Sequence, residues 1–98
     1  MLFAVTFIDN PNTGKLRTEN LSAHIDWLDI HRDSVLVGGS LRHNPSEPAI
    51  GGLWIVDLPD KASVESLIKT DPFWEIGLRT SYEILHWSKA FEDRKTPV

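Results

Sequence analysis

The stretch Leu2-Phe3-Ala4-Val5-Thr6-Phe7-Ile8 constrains this chain more than any other. It is rich in β-branched and aromatic residues, and Asp9-Asn10-Pro11-Asn12-Thr13-Gly14 ends it with turn chemistry, so it predicts a strand. Both parities are apolar: Phe3, Val5 and Phe7 on one, Leu2, Ala4 and Ile8 on the other. A strand with one face in water alternates more cleanly. Both faces of this strand are therefore expected to be covered. No basic residue precedes the run and no cleavage site follows it, so it does not read as a signal peptide. It is also far shorter than the ~20 residues of a membrane span.

The remaining segments follow in an order that limits the fold further. Arg17 to Asp33 predicts a helix with Leu21, Ile25 and Leu28 at helical spacing, Trp27 and Ile30 broadening the stripe, and Thr18 as N-cap. Val35 to Leu41 predicts a second strand whose adjacent Gly38 and Gly39 point to a bulge or a close approach. Arg42 to Ala49 is a loop, and Ile50 to Leu58 a third strand. Asp60 is suited to cap a second helix with Val64, Leu67 and Ile68 inward. Thr70-Asp71-Pro72 breaks that helix, Phe73-Trp74-Glu75-Ile76 adds one turn, and Arg79 to Ala90 predicts the last strand. The order β-α-β-β-α-β is the split arrangement of ferredoxin-like α+β folds, with a four-stranded antiparallel sheet and helices on one face. The other sheet face needs its own cover, for which a second copy packed sheet to sheet is the simplest choice. A single domain over 1–91 and a polar tail over 92–98 account for all 98 residues.

Charge and composition remove several classes of function. Ten Lys and Arg against fourteen Asp and Glu give a net charge of −4, with no basic stripe of the kind nucleic-acid binders carry. There is no cysteine, hence no disulfide, thiolate metal site or Cys nucleophile, which fits a reducing, cytoplasmic setting. His24, His31, His43 and His86 offer no metal spacing, and His24 and His31 stand two helical turns apart. No dinucleotide or phosphate-loop motif is present, so no cofactor is expected, and no serine sits in a nucleophile elbow.

What remains is a small set of candidates. His24 falls between Leu21 and Leu28, on the side of the first helix expected to face the core. Histidine titrates near neutral pH, although a hydrogen-bonded boundary histidine is the commoner reading of such a position. Asp71 before Pro72 is a helix-start signature that explains itself as a cap. An ionised carboxylate has enough acceptor sites to cap with one oxygen and orient a histidine with the other. Gly39 and Ser40 offer backbone or hydroxyl donors to a developing anion. Trp54 and Trp74 are large enough to shape an apolar pocket, or else belong to a core or interface.

These segments together resemble the YciI-like (YCII-related) family. The resemblance lies in the opening strand, Ala23-His24-Ile25-Asp26-Trp27-Leu28, Leu36-Val37-Gly38-Gly39, and Asp71-Pro72-Phe73, and it spans about residues 1 to 91. It implies a ferredoxin-like dimeric α+β barrel and an active site in which His24 pairs with Asp71. The chain departs from the family's pattern after Asp-Pro, where Trp74 occupies a turn that is often small. Three expectations follow. The first is an enzyme in which His24 moves a proton on a small organic acid or carbonyl compound, as in an isomerase, lyase or dehalogenase, with Gly39, Ser40, Trp54 and Trp74 around the substrate. The second is a non-enzymatic ligand-binding or accessory module that uses the same pocket. The third is a purely structural homodimer joined through the open sheet face, or a partner subunit.

Overall fold

The computed structural model describes residues 1–94. Its elements run β1 (Leu2–Asp9), α1 (Gly14–Ile30), β2 (Val35–Leu41), β3 (Gly51–Asp57), α2 (Lys61–Ile68), α3 (Pro72–Glu75) and β4 (Arg79–His86). The strands form one antiparallel sheet in the order β2-β3-β1-β4. This is the ferredoxin-like α+β arrangement. The two most apolar strands, β1 and β3, take the middle, where each has a neighbour on both sides.

Alternation along the strands sorts their side chains onto two faces. Phe3 and Val5 stand beside Val56 and Trp54 in the register, and all four are buried beneath the helices. Trp27 of α1 and Val64 and Ile68 of α2 cover them. Trp54 sits at the centre, stacked on Trp27 at 5.2 Å and edge-on to Phe7 at 4.6 Å. Gly38 makes room for it: a Cβ there would lie 2.9 Å from Trp54 Cδ1. The close approach expected at the glycine pair is thus a core indole pressed against β2. On the opposite face, Val37, Leu41, Leu53 and Leu85 remain exposed.

Several boundaries differ from expectation, each for a local reason. α1 begins at Gly14, with Thr13 in the N-cap position, and Thr18 lies inside the helix with its hydroxyl bonded to the Gly14 carbonyl at 2.9 Å. Asn12 adopts φ 60° and turns the chain directly after β1, leaving no slack before the helix. At the other end the His31 carbonyl accepts from the amides of Ser34 and Val35, a turn that feeds β2 at once and stops α1 at Ile30. The apolar stripe is displaced: Leu21 is 45% and Ile25 53% exposed, and α1 buries His24 and Trp27 instead. The irregularity in β2 falls between Val35 and Val37, ahead of the glycines. β4 ends at His86 and not Ala90, because its partner β1 runs out. The last rung pairs Phe3 with His86, after which the Trp87 amide donates to the Leu2 carbonyl. Of the expected tail over 92–98, residues 95–98 lie outside the described residues. No helix among the described residues is long and apolar enough to cross a membrane.

Candidate functional site

α3 is one helical turn, and Asp71 begins it. Pro72 occupies its first position, where a missing N–H costs nothing. The Asp71 carboxylate is fully buried, and its Oδ1 accepts from the Phe73 amide at 3.1 Å. The same Oδ1 lies 2.8 Å from His24 Nδ1. The division of labour differs from the expected one: a single oxygen both caps the helix and meets the histidine, and Oδ2 is left toward Arg79, 3.6 Å from its NH2. With Asp71 ionised, Nδ1 carries the hydrogen in this bond, and Nε2 is the nitrogen free to act as a base. The ring lies flat on Phe73, with centroids 3.9 Å apart and planes at 10°. One contact fixes its tautomer and the other its plane.

His24 borders a cavity of about 220 Å³ between α1 and the β2–β3 edge of the sheet. Gly38, Gly39, Ser40 and Gly52 form the sheet side, and Leu21, Ile25 and Leu28 of α1 form an apolar rim. The displaced stripe of α1 therefore has a place: it faces the mouth of the cavity. Of the residues expected to surround a substrate, Gly39 and Ser40 line this space beside His24. The Ser40 hydroxyl accepts from Arg42 NH2 at 2.7 Å. Trp54 and Trp74 do not line it. Trp54 is buried behind Gly38 in the core, and Trp74 packs edge-on against Tyr82 at 5.2 Å.

Two arginines and an aspartate complete the surroundings, and none was singled out from sequence. Arg17 of α1 donates to Asp9 Oδ2 at 2.7 Å and to the Gly51 carbonyl at 3.4 Å. Arg79, at the start of β4, is buried with its guanidinium 3.9 Å from the Phe7 ring centroid. Its nearest carboxylates are Asp71 at 3.6 Å and Asp9 at 3.8 Å. Burial pushes the Arg79 pKa down, and the charges of Asp71 and Asp9 oppose that shift. Arginine starts so high that the group stays cationic near neutral pH. Among the described residues, no cluster of His, Asp or Glu is arranged to hold a metal ion.

The family follows from the whole chain. The model of the YCII-related domain matches residues 1–88. The chain belongs to the YCII-related family. No curated protein matches it. Among solved structures it is similar to 5-chloro-2-hydroxyhydroquinone dehydrochlorinase (TftG) from Burkholderia phenoliruptrix AC1100, in complex with 2,5-dihydroxybenzoquinone. The two share 25% identity and a TM-score of 0.81 over 90% of this chain and 94% of that one.

Proposed function

We propose that this YCII-related protein is a small-molecule enzyme in which His24 moves a proton and Asp71 orients it. The observation that carries the reading is the 2.8 Å contact between His24 Nδ1 and a fully buried Asp71 at the edge of a cavity. A carboxylate on one ring nitrogen fixes the tautomer, supports the imidazolium that forms, and leaves the other nitrogen to take a proton. The substrate is a small organic acid or carbonyl compound, with Gly39 and Ser40 beside it. Trp54 acts only from behind, by holding Gly38 in place, and Trp74 only by bracing β4.

Likeness to a dehydrochlorinase whose structure holds a quinone favours elimination from a cyclic, oxygenated ring over the other proton transfers. In that step Nε2 takes a proton from carbon, the released pair forms a C=C bond, and the leaving group departs as an anion with its own pair. An isomerase would share the first half. Incubating candidate cyclic ketones and enols in D2O therefore tests both. The native protein is expected to accelerate deuterium incorporation or release of the leaving group, and His24→Ala to lose about 10²- to 10⁴-fold of that rate. An unchanged rate in His24→Ala sinks the reading.

We also propose that the open sheet face joins two copies in the cytoplasm, supported by its exposed Val37, Leu41, Leu53 and Leu85. Light scattering after size exclusion is expected to give twice the 11.1 kDa chain mass, and Leu85→Glu to shift it toward one. A native monomer at micromolar concentration would remove this part of the proposal.

A further inference from the structure

We propose that the cavity takes its ligand as a small planar oxyanion, gripped by Arg79 with Arg17 beside it. This rests on reading the cavity as the substrate site, and it adds the charge and shape of what enters.

Arg79 is the observation that demands an explanation. Its side chain is 2% exposed, yet Nε and NH1 have no hydrogen-bond partner among the described residues. The carboxylates at 3.6 and 3.8 Å balance its charge but stand beyond hydrogen-bond reach. A guanidinium presents five donors in a rigid fork, and leaving them empty in a buried site is costly. Asp71 Oδ2 and Asp9 Oδ1 are likewise buried without a hydrogen-bond partner among the described residues and face the guanidinium. It is stacked on Phe7 at 3.9 Å and flanked by Phe73, whose centroid is 5.4 Å away. Arg17 is similar in kind, with its Nε also buried and unpartnered.

The Arg79 side chain lines the cavity, with its Nε and NH1 enclosed behind that wall. Gly52 lines it beside Arg79, and a Cβ at Gly52 would stand 3.1 Å from Arg79 NH1, so glycine keeps open the space next to the fork. The described cavity wall holds Arg17, Arg79 and His24 and no carboxylate. Asp9 and Asp71 lie behind the arginines. An acceptor in the cavity therefore meets donors first, and a planar oxyanion matches the fork best. The apolar rim of Leu21, Ile25 and Leu28 suits the carbon body of such a molecule. A carboxylate, enolate or phenolate on a small ring fits the space and brings ring carbon near His24.

Benzoate and its neutral isostere benzamide are the probes, followed through the His24 ring signals in proton–carbon NMR of the full chain. Benzoate is expected to shift these signals saturably and to bind at least about tenfold more tightly than benzamide, as one charge-assisted contact allows. Arg79→Lys keeps the charge and loses the fork, and is expected to weaken benzoate about tenfold or more while leaving benzamide unchanged. If Arg79→Lys does not fold, Gly52→Ala, which crowds the guanidinium without removing it, is expected to act in the same direction. Equal binding of both probes, no saturable benzoate shift at tens of millimolar, or indifference to the folded variants would overturn the proposal. The two readings fail separately. Lost anion preference with His24-dependent turnover intact defeats the oxyanion grip alone. Retained preference with no such turnover defeats the enzyme reading and leaves a module that binds anions.

Discussion

Asp71→Ala lowers the stability of the fold by about 3–5 kcal/mol, the usual cost of removing one partner from a buried charged set. Its carboxylate is fully enclosed and serves three groups at once. It caps the Phe73 amide at 3.1 Å, meets His24 at 2.8 Å and faces Arg79 at 3.6 Å. Alanine orphans the amide, frees the histidine, and leaves Arg79 with Asp9 as its remaining close counter-charge, at 3.8 Å. Asp71→Asn separates these effects. The amide oxygen still accepts from Phe73 N, so α3 keeps its cap and the stability loss is smaller. The negative charge is gone, however, and the imidazolium is no longer supported. Turnover is therefore expected to fall by about 10²- to 10⁴-fold in the folded Asn variant. Urea unfolding reads the first effect and deuterium incorporation the second. Equal stability losses for Ala and Asn would mean that charge, and not the cap, dominates at Asp71. A full rate in Asp71→Asn would mean that the histidine works without it.

The fold was legible because each segment carried its own signal. β1 announced itself through two apolar parities, and Asp60 and Asp71 stand at the helix starts where their side chains accept from Ser63 N and Phe73 N. The site was legible only in part. His24 stood out as a polar ring at a buried helical position, though the stripe used to place it was shifted and Leu21 and Ile25 proved exposed. Asp9 was within reach. It follows Phe3, Val5 and Phe7 on one parity, so alternation puts it beneath the helices, but its turn chemistry offered a sufficient explanation. Arg17 also carried a signal, two helical turns before His24 on one face. Arg79 did not. Counting back from Ile84 and Tyr82 on the inner face leads to Thr80. A register shift, in which Ile8 pairs with Ser81 and Asp9 with Arg79, turns Arg79 inward instead. Bulges re-aim side chains next to sites, and a one-residue irregularity leaves no trace in the pattern. Trp54 erred the other way: a large aromatic suggests a pocket wall, and the stack with Trp27 claims it for the core.

The neighbouring junction of β1 and β3 is the least tolerant glycine position for added volume. A Cβ on Gly51 would collide with the carbonyl oxygen and carbon of Phe7. The obstacle is backbone in the two central strands, so no rotamer change relieves it, and β3 must move away from β1. Overpacking of this kind costs about 3 kcal/mol. In a domain of this size each kcal/mol lowers Tm by about 4–8 °C, so Gly51→Ala is expected to melt roughly 12–24 °C below the native protein. Gly14 provides the control. It sits in the first turn of α1 with no atom within 4 Å of where a methyl would stand, so Gly14→Ala should hold or slightly raise Tm. The Gly51 carbonyl also accepts from Arg17 at 3.4 Å, and Ile8, its partner in the register, adjoins the shift that turns Arg79 inward. Moving β3 there disturbs both arginines, so the benzoate preference should weaken along with the melting temperature. A Gly51→Ala protein that melts low yet keeps its full preference would show that the strand pairing and the arginine pair are independent.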